Sequence, residues 1–239
     1  MTLSSFQELT GFMTSDAASA VKSKACCALH LGLMEFTAAS QLQGSLVDLR
    51  LAGEIPDVVL FLQHPPVITI GAFGGEQNIV VQRDVLDKEG ISVTHTDRGG
   101  DVTYHGPGQL VGYPILDLKI RGRDVHQYVH DLEEVIIRTL DDYSVEAHRD
   151  TDYPGVWVGR EKICALGIRV VHWVTKHGFA LNISNDLTPF SYINPCGIVG
   201  RGTTSMQKVL GQKPKITEVT NSIIRHFSAV FNISVHEAK

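Results

Sequence analysis

The chain has 239 residues, 43% hydrophobic and 20% charged, a composition that fills a core and excludes a disordered protein. Its net charge of −5 excludes a broad basic surface for nucleic acid or membrane, so an acidic partner would need a local basic patch. Cys26, Cys27, Cys164 and Cys196 form no C-x-x-C pair, which argues against a zinc ribbon or redox motif and for reduced, intracellular thiols.

From the N-terminus, residues 1–25 lack a basic start with an apolar run and lack arginine, and they carry Glu8 and Asp16. They read as a flexible leader before a single domain over 26–239. Leu33 to Leu51 carries Phe36, Leu42, Leu46 and Leu49 at helical spacing. Val58–Leu62 and Val67–Ile70 read as strands separated by His64-Pro65-Pro66. Arg83–Glu89 predicts a short helix stopped by Gly90, and Ile91–Thr96 a strand. A glycine-rich stretch follows from Arg98 to Gln109, then an apolar strand over Leu110–Leu118.

Asp124 predicts an N-cap for a helix bearing Val125, Tyr128, Val129, Leu132, Val135, Ile136 and Leu140. Gly155–Val158, Lys162–Trp173 and Gly178–Ile183 are β-rich. A loop over Ser184–Gly202 holds Asn194-Pro195-Cys196-Gly197, and Ile216–Phe231 closes with an amphipathic helix. Many strands with few helices predict an α/β (α+β) fold, a mixed sheet flanked by helices. No apolar run reaches membrane-spanning length.

The stretch RGGDVTYHGPGQ is neither a P-loop nor a dinucleotide fingerprint, because it lacks Gly-Lys-Ser/Thr and G-x-G-x-x-G spacing. Its paired glycines suit close approach of backbone to a ligand. Among the thiols, Cys196 sits in a turn where a nucleophile can be reached, whereas Cys164 lies in an apolar β run and suits packing. Period-two spacing would put Lys162, Cys164 and Leu166 on one strand face, making Cys164 the rival nucleophile. The histidines show no ligand spacing, and no metal site or cofactor is read.

These motifs together resemble the lipoyl(octanoyl) transferase family. The likeness runs from His64-Pro65-Pro66-Val67 with Thr69 and Gly71, through Arg98 to Gln109 and Tyr113-Pro114. It continues with Lys162-Ile163, Ala165 to Ile168, His177 to Asn182 and Pro195-Cys196-Gly197-Ile198, all in family order, over roughly residues 28 to 230. The resemblance implies a fold like the catalytic domains of biotin and lipoate ligases. It implies Cys196 as the acyl-accepting nucleophile and Lys162 as its helper, either as a cation beside the sulfur or as a proton acceptor.

The substrate-lining positions implied are Arg98, Gly99, Gly100, Asp101, Val102, Thr103, Tyr104 and His105, then Ala165, Leu166 and Gly167, then Gly178, Phe179 and Ala180. Small residues there leave room for an acyl chain and a pantetheine arm. His105 and His177 are candidates for orienting the thioester carbonyl or shuttling a proton. The implied reaction moves octanoyl from octanoyl-acyl carrier protein to a lysine of a lipoyl domain. The implied acceptors are lipoyl domains of 2-oxoacid dehydrogenases and the glycine cleavage H protein. A cytoplasmic monomer with no cofactor, no nucleic acid and no membrane is expected. The alternatives are an ATP-dependent lipoate ligase of the same fold, a lipoyl-domain binding module, and a cysteine hydrolase.

Overall fold

The computed structural model describes residues 25–194 and 201–237, so the leader reading over 1–25 falls almost wholly outside the described residues. Two sheets carry the fold. The larger has the strand order β12-β1-β2-β6-β10-β9-β8-β7, with β11 beside β9. Its strands are β1 (Ala25–Leu33), β2 (Asp57–Gln63), β6 (Gln109–Ile115), β7 (His148–Arg149), β8 (Val156–Val158), β9 (Glu161–Val171), β10 (Val174–Asn182), β11 (Gly202–Thr203) and β12 (Ser234–Glu237). The smaller sheet is β4-β3-β5, from β3 (Val67–Ile70), β4 (Ser92–His95) and β5 (Val102–His105). Parallel β12-β1-β2 pairing joins antiparallel β2-β6-β10-β9-β8-β7, which makes the sheet mixed, as expected.

Helices cover both faces of the large sheet. Helix α1 (Phe36–Ala52) lies on one face, where Leu42, Leu46 and Val47 pack with Val58, Leu60, Val111 and Tyr113. Helices α3 (Val125–Asp141) and α5 (Ile216–Phe231) cover the other, with Leu132, Val135, Ile136, Ile223 and Phe227 against Val59, Phe61, Leu110 and Phe179. Two short helices, α2 (Arg83–Lys88) and α4 (Met206–Leu210), flank this frame. Asp124 caps α3 by accepting from the Gln127 N–H at 2.9 Å, as its position predicted. Gly53, at φ 72, ends α1 in the left-handed conformation that glycine adopts without strain.

Five strands were not foreseen: the short β5, β7 and β11, and the edge-side pair β1 and β12. β1 runs through ACCALHLGL, which contains no Val, Ile, Thr, Tyr, Phe or Trp to mark it as a strand. β12 is an exposed edge strand after α5 and carries only one partly buried position, Val235.

A buried ionic cluster ties α1 to the sheet. The Asp57 carboxylate accepts from Arg50 Nε at 2.8 Å, Arg121 Nη2 at 2.7 Å and the Asp117 N–H at 3.0 Å. The side chains of Asp57 and Arg50 are 2% and 6% exposed. Removing the shared carboxylate would leave two desolvated guanidiniums, so Asp57→Ala is expected to cost about 3–5 kcal/mol of stability. Urea unfolding measures this directly, and a loss below about 1 kcal/mol would show the cluster to be dispensable.

Candidate active site

The glycine-rich stretch crosses the first strand of the small sheet at very close range. Gly71 N–H donates to Asp101 O, Ala72 N–H to Arg98 O and Phe73 N–H to Gly100 O. A Cβ on Gly71 would meet Gly100 O at 2.3 Å. Arg98 is buried and anchored on Thr69, donating through Nε and Nη2 to Oγ1 and through Nη2 to the carbonyl at 2.7 Å. Asp101 accepts two hydrogen bonds from Asn78 Nδ2. These two charged residues therefore brace the loop rather than face a ligand alone.

The loop then closes on the outer edge of β9. β8 pairs with β9 only over Glu161–Cys164, which leaves the later part of that edge open. Gly99 N–H donates to Ile168 O at 2.8 Å across it. Gly167 faces Gly99 O at a distance where a Cβ would stand 3.0 Å away. Gly71→Ala would push backbone against backbone here and is expected to cost about 1–3 kcal/mol and to displace the loop. The assay is thermal melting together with acyl transfer; unchanged values in both would refute the crossing's tightness.

Between this loop, β9, β10 and α1 lies a cavity of about 800 Å³. Arg98 to Thr103, His105, Lys162, Ala165 to Gly167 and Gly178 to Ala180 all line it, so the three predicted stretches converge. Tyr104 is the exception. Alternation along β5 turns its ring into the core of the small sheet, edge-on to Phe190 at 5.5 Å between centroids. It is a packing residue, and the substrate-lining reading is corrected for it.

A second correction concerns Lys162 and Cys164. Val156 pairs with Cys164 while Trp157 pairs with Lys162, so Ile163 is an extra residue in β9. That β-bulge breaks the period of two. Ile163 and Cys164 both enter the core beneath α3 and α5, while Lys162 lines the cavity. Cys164 is fully buried, and burial pushes its thiol far above the ordinary range. It is built to pack, not to attack.

Lys162 Nζ donates to Pro154 O at 3.1 Å and stands 4.8 Å from the centre of the Trp157 ring. Arg201 lies 5.0 Å from the same indole, 5.0 Å from Tyr153, and pairs with Asp150. Trp157 is 1% exposed and thus a fixed aromatic floor beneath two cations. Cys196, with Pro195, Gly197 and Ile198, lies outside the described residues. The described residues on either side of that stretch, Asn194 and Arg201, both line the cavity.

A cluster of rings forms another part of the wall. Phe36 stacks near-parallel with His105 and His177 and lies 5.2 Å from the centre of His64. His64 Nδ1 meets only the Met34 carbonyl, so it carries the proton and Tyr113 donates to Nε2. The amide of Gln109 gives its hydrogens to Tyr104 O and Asn182 Oδ1, so its oxygen accepts from His105 Nδ1 at 2.7 Å.

His177 has φ 60, which turns its N–H to Gln43 Oε1 at 2.7 Å, and its Nε2 donates to Asp97 at 2.8 Å. Burial lowers His64 and His177 to about 4, against the support of Met34 and Asp97 respectively, and holds His105 well below its ordinary value. Burial also acts on Asp97, but hydrogen bonds from His177 and Lys176 outweigh it and keep its carboxyl below the usual range. The three histidines are thus uncharged at neutral pH, while Asp97 is ionised beside His177.

Phe36, Gln109, Tyr113, Trp157 and Arg201 line the cavity without having been singled out. Gln109 and Tyr113 lay within quoted motifs; the other three did not. Among the described residues no group of three or more His, Cys, Asp or Glu could hold a metal ion. No described helix is long and apolar enough to cross a membrane.

Residues 35–228 match the family model of the lipoyl protein ligase A/B catalytic domain. A protein of Caldicellulosiruptor saccharolyticus named Octanoyltransferase is 50% identical over 204 residues, covering 84% of this chain and 87% of its own. One of Solibacter usitatus with the same name is 48% identical over 210 residues, covering 88% and 94%. A crystal structure of lipoate-protein ligase A bound with ATP superposes with a TM-score of 0.73 at 19% identity, covering 90% of this chain and 88% of that one. Biotin protein ligase from Aquifex aeolicus superposes with a TM-score of 0.55 at 11% identity, covering 88% and 71%. At those identities the two structures speak for the fold.

Proposed function

Given that the chain belongs to the lipoyl protein ligase A/B catalytic-domain family and is an acyltransferase that moves octanoyl groups for protein lipoylation, we propose that it works through a thioester on Cys196. The donor is octanoyl-acyl carrier protein and the acceptor is a lipoyl-domain lysine. The observation that carries this reading is the convergence on one cavity of Lys162, the glycine- and alanine-rich stretches, and both described neighbours of the Cys196 segment.

In the first half-reaction the Cys196 thiolate attacks the carrier's thioester carbonyl. A new C–S bond forms, the old one breaks, and the carrier's sulfur leaves with the proton that Cys196 gave up. In the second, the lysine amine attacks the octanoyl-Cys196 carbonyl. A C–N bond forms, the enzyme C–S bond breaks, and an amine proton returns to the cysteine sulfur. No co-reactant is needed, because a thioester acylates an amine downhill.

Lys162 supplies the cation that favours the thiolate. Its hydrogen bond to a carbonyl and its seat on the Trp157 ring are contacts that a cation makes. The proposed setting is the cytoplasm, with the chain acting as a monomer. The 2-oxoacid dehydrogenases and the glycine cleavage H protein supply the acceptor domains.

Intact-mass spectrometry after mixing the chain with octanoyl-acyl carrier protein tests this. The expected result is one octanoyl adduct that disappears when a lipoyl domain is added and reappears on that domain. Absence of any adduct, with transfer dependent on ATP, would overturn it in favour of a ligase.

A further inference from the structure

The β9–β10 hairpin ends in a turn that its sequence does not suit. Val171 pairs with Val174, and the two residues between them, His172 and Trp173, have φ 48 and 74. Such turns normally hold Asn-Gly, because side chains with a Cβ are strained at positive φ. The strain places an indole at the tip, 36% exposed, where its carbonyl accepts from the Leu118 N–H at 2.7 Å. Two residues beyond Leu118, Ile120 is 59% exposed. The chain then folds back, with Arg123 N–H donating to Leu118 O. Two exposed apolar side chains thus sit on segments tied together by backbone hydrogen bonds.

The charge around them is positive in a chain that is acidic overall. Lys119, Arg123 and Arg169 are exposed and make no ion pair among the described residues. Three acids accompany these segments, of which Asp97 pairs with Lys176 and His177. Asp117 accepts from the Lys119 N–H and faces Arg50, and Asp124 caps α3. Both segments that carry the patch run on into the cavity lining: Val125, two residues past Arg123, lines it, and so do Ile168 and His177 on the hairpin. From that pair to the tip is roughly 15 Å at 3.3 Å per residue, a distance that a flexible prosthetic arm can span.

We infer that Trp173 and Ile120, ringed by Lys119, Arg123 and Arg169, form the docking surface for the acidic acyl carrier protein that brings the octanoyl thioester. This rests on the transferase reading above. Apolar anchors inside a rim of like charge suit a transient partner of opposite charge, steered to the site and released after transfer.

The test compares two donors with the same thioester, octanoyl-acyl carrier protein and octanoyl-pantetheine, in the full chain. Acyl-enzyme formation is followed by mass against donor concentration. The Lys119→Glu/Arg123→Glu variant is expected to raise KM for the carrier-bound donor at least tenfold and to leave octanoyl-pantetheine unchanged. Wild-type KM for the carrier alone should rise with salt. Replacing His172-Trp173 by Asn-Gly should weaken carrier use without lowering the melting temperature, an outcome that a purely structural turn would not give.

Equal effects on both donors, or on neither, would overturn the inference. So would normal loading with slowed hand-over to the lipoyl domain, since the patch would then serve the acceptor. If neither donor yields an adduct in the wild type, the transferase mechanism fails instead. Calorimetric titration with the holo-carrier then still reads the surface: salt-sensitive binding lost in the charge-reversed variant supports it, and unchanged binding refutes it.

Discussion

Cys196→Ala is expected to abolish the octanoyl adduct and to lower transfer by about a thousandfold or more, the scale on which removing a covalent nucleophile acts. Cys164→Ala is the control that makes the result specific. It deletes a buried sulfur from the core under α3, which costs some stability, but adduct formation should persist. The contrast follows from the bulge at Ile163, which sends Cys164 inward while Lys162 stays at the cavity. Intact mass reads both variants, and melting curves establish that each is folded. An adduct retained in Cys196→Ala and lost in Cys164→Ala would reverse the assignment.

Stability should fall sharply with acid, and the cause lies in the ring cluster around Phe36. His64 and His177 have an ordinary value of 6.5 and are lowered to about 4 in the fold by burial. Below pH 6.5 the unfolded chain takes up protons that the folded chain refuses, so unfolding is favoured as pH drops. The stabilisation is fully present above about pH 6.5 and is lost as pH falls to about 4. Each histidine accounts for roughly 3 kcal/mol over that window at 1.36 kcal/mol per pH unit. His105 acts in the same direction, and the depressed Asp97 adds to it at the acidic end. Denaturant unfolding at several pH values measures the slope, and imidazole NMR tests its source. A flat stability between pH 7 and 5, or titration of His64 near 6.5, would refute the account.

Regular elements were readable where a run of β-formers or a helical stripe stood between clear breaks. Val67–Ile70 and Ile216–Phe231 match their strand and helix residue for residue, since four β-formers between breaks and a clear helical stripe leave little choice. β1 was not readable, because ACCALHLGL contains no Val, Ile, Thr, Tyr, Phe or Trp to mark it as a strand. α1 hides its purpose differently: Gln43 and Arg50 look like surface residues yet are buried, one to hold the His177 backbone and the other to meet Asp57.

The candidate site was legible as three stretches whose glycines admit close backbone contact, and the fold brings those stretches to one cavity. What spacing could not show was the bulge that separates Lys162 from Cys164, or the turn of Tyr104 into the small sheet. Both depend on pairing with distant strands. Phe36, Trp157 and Arg201 reach the cavity through such pairing and folding alone, with no local mark in the chain.

The chain has two tryptophans, and they occupy opposite surroundings. Trp157 is enclosed beneath Lys162 and Arg201, while Trp173 is partly solvated at the hairpin tip. Their light emission therefore divides by colour, with a blue component from the floor of the cavity and a red one from the tip. Quenching by dissolved iodide should remove the red component and spare the blue. Arrival of a carrier and loading of the cavity could then be timed as separate optical events in one stopped-flow trace, with no attached dye.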